Sequence, residues 1–265
     1  MSTESLAANG TAAQTIPAVV HLTWKTKRIP RSLRRYADSW SKFQNVSIRL
    51  HDDADLRDLI VSHFPEFLAQ YDRFTRNIER VDFARYALMH VYGGIYADLD
   101  MECIRSVESL LSSTRAIIGT EPIEHARHYH VDRVLCNAIL LSPPGHPVWR
   151  AVMAHIVANY QPEGNVVFNT GPMAMTRLHQ QRPEVYQDVE IVEPTVFYPV
   201  VDSRFGGHRD GRFDHVSREG RIADAYTVHH WVHTYIFRWP KYIAPAAIAA
   251  AVITASITAW RLLSH

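Results

Sequence analysis

The 265-residue sequence predicts an α/β fold built around a largely parallel sheet. Three observations lead there. Short apolar runs alternate with amphipathic stretches along most of the chain. The strongest helical pattern, Asn77 to Tyr92, is closed by Gly93-Gly94. The apolar strand after it, Ile95-Tyr96-Ala97, runs straight into Asp98-Leu99-Asp100. Ligands of α/β sheets bind at the carboxyl ends of strands, so this acidic pair marks a candidate site.

The elements follow in order. Residues 1–15 are small and polar and read as a disordered tail without a secretory signal. Val19-Val20-His21-Leu22, entered through Pro17, reads as a first buried strand. Ser32 is placed to cap a helix reaching about Trp40, with Leu33, Tyr36 and Trp40 on one face. Val46 to Leu50 alternates as a second strand, and a helix follows from Asp53 towards His63. In the 77–92 helix, Ile78, Val81, Phe83, Ala84, Leu88, Val91 and Tyr92 form a wide apolar stripe. Further strands are expected at Ala116–Gly119 and Val134–Leu141, and helices at His146–Tyr160 and Gly171–Gln181.

Two later segments stay open. Residues 202–224 hold ten charged residues and four glycines, the texture of an exposed loop that is either a lid or a solvated insertion. Residues 242–260 carry no charge over 19 positions, enough to span a bilayer, although the stretch is rich in alanine. Its alternative is a helix packed through Ile248, Val252, Ile253, Ile257 and Trp260. The organisation expected is therefore a tail over 1–15, one domain over 16–237, and an apolar C-terminal helix over 238–265.

Composition removes several function classes. Lys and Arg number 28 against 27 Asp and Glu, a net charge of +1, so nucleic acid is not an expected partner. Cys103 and Cys136 allow at most one disulfide, lack any Cys-x-x-Cys context and read as packed thiols. His125, His128 and His130 look like a metal cluster, but with no matching acidic or cysteine partner they read as a polar loop.

The chemistry centres on Asp98 and Asp100. Two carboxylates one residue apart can share a hard divalent cation, which in turn holds a diphosphate. The spacing alone says little: 15 aspartates in this length produce about 0.8 such pairs by chance. A second pair, Asp53-Ala54-Asp55, sits at a helix start, where acidic residues favour the dipole. Upstream of the first, Asp82 and Arg85 lie three apart on one helical face. They either point together at a polar ligand or form an intrahelical salt bridge.

Context makes the pattern more specific. Ile16-Pro17 with Val20-His21-Leu22-Thr23-Trp24-Lys25, then Arg80-Val-Asp82-Phe-Ala-Arg85-Tyr86, then Gly93-Gly94-Ile-Tyr96-Ala-Asp98-Leu-Asp100, resemble the DXD-containing sugar transferases of glycosyltransferase family 32. Asn137, Pro144-Gly145-His146-Pro147 and Asn169-Thr170-Gly171-Pro172-Met173 are similar to its later blocks. Within that family the nearest resemblance is to inositol phosphorylceramide mannosyltransferases and Och1-like enzymes, over residues 16–235.

The resemblance implies a GT-A fold with a Rossmann-like central sheet, a nucleotide-sugar donor and a divalent metal, Mn²⁺ before Mg²⁺. It matches Asp98 and Asp100 to the metal and diphosphate aspartates, and Asp82 and Arg85 to the pair facing the donor sugar and diphosphate. Trp24 matches an aromatic near the donor base, or else packs in the core. Tyr96 flanks the metal, or is a plain strand residue. Asn137 bonds donor or acceptor, or serves a strand end. Of His229 and His230, which face opposite sides of a strand, the resemblance favours His229 as a metal ligand two residues before Trp231. The chain continues His233-Thr234-Tyr235 where the family often has Ser-Trp.

The implied activity is hexose transfer to a glycan or glycolipid hydroxyl, with retention. Mannose from GDP-mannose is the first donor and a UDP-linked galactose or glucose the alternative. A non-catalytic nucleotide-sugar-binding protein and a nucleotide-sugar phosphohydrolase are the other classes. The expected location is membrane-associated through 242–260, either endomembrane (Golgi or ER) or as a tail anchor with the domain facing the cytosol.

Overall fold

The computed structural model describes residues 14–42, 46–205 and 222–233. The chain divides into two compact units, Met1–Trp231 and Val232–His265, and the elements below belong to the first. Its strands are β1 (Val19–Thr23), β2 (Ser47–His51), β3 (Gly94–Ala97), β4 (Met101–Cys103), β5 (Ala116–Thr120), β6 (Leu135–Ser142), β7 (Val189–Val192) and β8 (Thr227–His229). Its helices are α1 (Arg31–Ser39), α2 (Asp53–His63), α3 (Leu68–Arg73), α4 (Asn77–Tyr92), α5 (Glu108–Leu111), α6 (Ile123–His128), α7 (Pro147–Asn159), α8 (Val166–Asn169), α9 (Pro172–Gln181) and α10 (Pro194–Phe197).

Six strands form one sheet in the order β2-β1-β3-β6-β5-β7. Only β6 runs against its neighbours; the other five point the same way, which is the largely parallel sheet expected. The strands β1, β3, β5 and β6 are buried along their whole length, because helices cover both faces of the sheet. One apolar layer joins α2, α4, α7 and α9 through residues such as Leu59, Phe83, Leu88, Trp149, Met153 and Leu178. The opposite layer sets Leu33, Tyr36 and Trp40 of the α1 segment against Leu22, Ile95 and Leu141.

Helix α4 positions the site. Residues Asp82 to Met89 are buried without interruption, so this helix is enclosed rather than merely amphipathic. It ends where backbone φ turns positive, +61° at Gly93 and +85° at Gly94. A Cβ at Gly93 would lie 2.5 Å from the Pro144 nitrogen, and one at Gly94 2.6 Å from the Val19 carbonyl oxygen. Only glycine admits both the turn and the approach, and the chain passes from α4 into the centre of the sheet without a linker.

Several expectations change. Helix α1 begins at Arg31 behind Pro30, so Ser32 lies inside its first turn and is not the cap. The helix at Asp53 does begin there, and its cap is the preceding Asp52, whose carboxylate accepts the Asp55 N–H at 3.0 Å while Asp55 accepts the Asp52 N–H at 2.9 Å. Strands β4 and β7 are additional, with three and four residues, too short for a periodic signal, while the strand expected at His229 is the three-residue β8. His125 is not in a polar loop. It is fully buried on α6, its Nδ1–H donates to Glu121 at 2.7 Å, and its Nε2 accepts the Asp202 N–H at 3.1 Å. Cys103 and Cys136 are buried free thiols, as expected.

Most of the 202–224 loop and all of the apolar segment 242–260 lie outside the described residues. The expected membrane location, endomembrane or tail-anchored, is corrected: among the described residues no helix is long and apolar enough to cross a membrane.

Candidate active site

The end of β3 is extended by one further bond, from the Asp98 N–H to the Ala138 carbonyl at 2.8 Å. The chain then turns, the Met101 N–H donating back to the Asp98 carbonyl at 2.9 Å, and enters β4. β4 pairs antiparallel with β8, placing Met101 opposite His229. This two-stranded ribbon is what carries His229 to the acidic turn from far along the chain. The His230 N–H donates to the Asp100 carbonyl at 3.1 Å and locks the register.

Asp98, Asp100 and His229 each offer one ligand atom, and those atoms all lie within 4.8 Å of one another. The His229 Nε2 is 3.3 Å from an Asp100 carboxylate oxygen. Its Nδ1 is buried and has no hydrogen-bond partner among the described residues. Two carboxylate oxygens and one imidazole nitrogen suit a hard divalent cation such as Mn²⁺ or Mg²⁺. His230 faces the other way, its Nε2–H donating to Glu102 at 2.8 Å while its ring stacks on Tyr36 with centroids 4.1 Å apart. The Trp231 ring lies over His229 at a centroid separation of 3.8 Å, and its indole N–H donates to the Val200 carbonyl at 2.8 Å.

Behind the turn stands Arg85, 2% exposed. Its guanidinium reaches Asp82 at 2.7 Å, Asp98 at 3.3 Å and the Asn137 carbonyl at 2.7 Å, and it lies over the Tyr96 ring at 4.7 Å. The Tyr96 hydroxyl donates to Asp98 at 2.7 Å and is 3.1 Å from the Thr23 hydroxyl. Asp82 and Arg85 are thus the intrahelical ion pair foreseen as one alternative. Because the pair is buried and extends to Asp98, it belongs to the same cluster as the metal-binding donors.

Burial raises the pKa of the Asp98 carboxyl, against the opposing charge of Arg85. Burial likewise pushes Asp82 up to about 6, with Arg85 pulling the other way. Burial alone would lower the His229 imidazole, but the carboxylates around it, Asp100 foremost, together outweigh it and the net shift is upward. Each shift comes from enclosing charge near charge, a signature of functional sites.

The remaining candidates separate. Trp24 directly follows β1, donates its N–H to the His51 carbonyl at 3.0 Å and is half-buried against the α1 layer. Asn137 sits on β6 and sends its amide nitrogen to Asp82 at 3.1 Å and the Tyr86 hydroxyl at 3.1 Å. Arg80, in the same motif, turns outward to the Asp72 carbonyl. Three residues of the cluster carried no expectation: Thr23, Tyr86 and Thr170, whose hydroxyl donates to Asp82 at 2.9 Å. All three lie inside the blocks that carried the resemblance, the only signal that could have raised them.

Comparison with known proteins finds sequence relatives among glycosyltransferases. Residues 13–117 match the family model described as a glycosyltransferase sugar-binding region containing a DXD motif. The inositol phosphoceramide mannosyltransferase 3 of Schizosaccharomyces pombe is 30% identical over 82% of this chain and 60% of its own. Mannosyltransferase 2 of the same organism is 27% identical over 69% of this chain and 50% of its own. The chain therefore spans half to three-fifths of the length of these curated relatives. The solved PaToxG glycosyltransferase aligns over 64% of this chain and 71% of its own at 19% identity, with a TM-score of 0.49.

Proposed function

Because this chain belongs to the family of DXD-containing sugar transferases, we propose that it transfers a hexose from a nucleotide sugar to a hydroxyl of a glycan or glycolipid, on a GT-A-type fold. The observation that carries this reading is the convergence of Asp98, Asp100 and His229, with Arg85 directly behind them. Mannose from GDP-mannose is the donor supported by the activity in the relatives' names. Transfer proceeds with retention of configuration.

In this reading Asp98, Asp100 and His229 hold one divalent cation. A cation held there would supply positive charge to the donor diphosphate and to the charge that develops as it departs. Arg85 supplies fixed positive charge at the same place, preorganised by Asp82, Asp98 and the Asn137 carbonyl. Tyr96 donates to Asp98 and helps to hold that carboxylate in place. Trp24, where the end of β1 meets the end of β2, is the aromatic assigned to the donor base in this reading. Asp82 reads the sugar hydroxyls. The bond from sugar C1 to the diphosphate oxygen breaks, C1 bonds to the acceptor oxygen, and the acceptor proton leaves with the diphosphate.

The test is a panel of GDP-mannose, UDP-galactose and UDP-glucose with Mn²⁺ and a hydroxyl acceptor. Release of nucleoside diphosphate that rises with acceptor and stops in chelator is expected, fastest with GDP-mannose. Hydrolysis that acceptor does not accelerate, or turnover undiminished by chelator, overturns the reading.

A further inference from the structure

Around Asp82 the hydrogen bonds close into a ring. Asn137 Nδ2 donates to Asp82 Oδ1 at 3.1 Å and to the Tyr86 hydroxyl at 3.1 Å. The Tyr86 hydroxyl donates to the Thr170 carbonyl at 3.0 Å. Thr170 Oγ1 closes the ring by donating to Asp82 Oδ2 at 2.9 Å. All four side chains are buried, Tyr86 and Thr170 completely. The members come from three separate parts of the fold: α4, β6 and the turn after α8.

Two consequences follow. An amide nitrogen has two hydrogens, and both of those on Asn137 have acceptors inside the ring. Its amide donors are therefore engaged by Asp82 and Tyr86. Asp82, in turn, receives Arg85 and Asn137 on one oxygen and Thr170 on the other, so its carboxylate plane is held from both ends.

The turn that supplies Thr170 is itself fastened to α4. Asn169 Nδ2 donates to Glu79 at 3.2 Å and to the Gln161 carbonyl at 2.7 Å. Glu79 and Asp82 lie one helical turn apart, so consecutive residues of the 169–170 turn meet two buried carboxylates on one face of α4.

We propose that Thr170 is a positioning residue for donor-sugar recognition: through the Asp82–Asn137–Tyr86 ring it fixes the carboxylate that distinguishes one hexose from its epimers. The proposal rests on the transferase reading above and on Asp82 facing the sugar. A carboxylate held in one plane rewards one hydroxyl stereochemistry, whereas one free to rotate follows either.

The experiment compares wild type with Thr170→Val, which keeps the shape and removes the donor, and Thr170→Ser, which restores it. Three quantities are read: KM for the sugar nucleotide, calorimetric affinity for the free nucleoside diphosphate, and the kcat/KM ratio of the preferred hexose to its C2 epimer. Thr170→Val is expected to raise KM about tenfold and lower the epimer ratio about tenfold with diphosphate affinity unchanged, as misplacing a positioning group does. Thr170→Ser is expected to return both within about twofold.

A folded Thr170→Val with wild-type KM and ratio overturns the proposal, as does a parallel fall in diphosphate affinity, which marks a merely structural role. If Thr170→Val does not fold, Tyr86→Phe opens the ring elsewhere, and an unchanged epimer ratio there overturns it equally. A wild type that neither binds nor turns over any sugar nucleotide overturns the transferase reading itself; activity in wild type that these variants leave unmoved overturns only the role of Thr170.

Discussion

The Arg85 guanidinium lies 3.3 Å from the Asp98 carboxylate, joining the middle of α4 to the acidic turn that ends β3. The two residues are thirteen apart, and the Gly93-Gly94 turn folds the chain back on itself between them. Charge on the helix and charge on the turn are therefore one electrostatic unit. Its members cannot be altered independently.

Arg85→Met should cost both activity and fold. It leaves Asp82 and Asp98 without their shared cation, and breaking a buried pair in this way typically costs about 3–5 kcal/mol. Arg85→Lys keeps the charge but loses the planar fork that reaches Asp82, Asp98 and the Asn137 carbonyl together, so it should recover only part of the stability. Denaturant unfolding of the three proteins checks the order; equal midpoints would refute the coupling.

Asp100→Asn should leave folding nearly intact and lower turnover more than about 100-fold, the scale of a few kcal/mol of lost transition-state stabilisation. Asp100 is partly exposed at its turn, so the exchange of oxygen for amide creates no core defect. Mn²⁺ titration by calorimetry offers a readout separate from activity: binding should weaken in Asp100→Asn and in His229→Gln alike. Undiminished Mn²⁺ affinity in both variants would remove these residues from the metal set.

Acid should destabilise the first half of the sheet through two histidines. His21 and His51 share a hydrogen bond at 2.9 Å, and burial first, then nearby positive groups, lowers His21 to about 3 and His51 to about 4. The unfolded chain takes up these protons near 6.5, the folded one only near those lower values. Between them the unfolded state binds more protons, so stability is full above pH 6.5 and falls as pH drops towards 4 and 3. From pH 7 to 5, His21 should account for about 2 kcal/mol, and the more solvated His51 for less. Urea midpoints across this range, with His51→Gln flattening the slope, test it.

Gly94→Ala should destabilise by at least about 2 kcal/mol, because φ of +85° and the Val19 carbonyl at 2.6 Å both oppose a Cβ. In a chain of this size that corresponds to a fall in Tm of about 4–8 °C. An unchanged Tm would mean that the α4–β3 turn relaxes freely.

The extent of α4, its glycine stop and the strand into Asp98 were determined by sequence alone, because each rests on local signals: apolar spacing, a residue that admits positive φ, and a short buried run. The start of α2 was legible for the same reason, apart from the cap residue one position upstream. Tertiary structure decided which partners these residues meet. Strands β4 and β8 are three residues each and acquire their pairing only from one another, so the ribbon that brings His229 to Asp100 leaves no periodic trace in either segment. His125 reads as loop in sequence although its partner Glu121 lies only four residues upstream; the Asp202 amide that completes its burial arrives from a distant part of the chain. The ring around Asp82 is the furthest from sequence. Spacing put Asp82 and Arg85 on one face of a helix, but hydrogen bonds are directional and short-ranged. Only the packing of β6 and of the turn after α8 against α4 decided that Asn137 and Thr170 would hold that carboxylate.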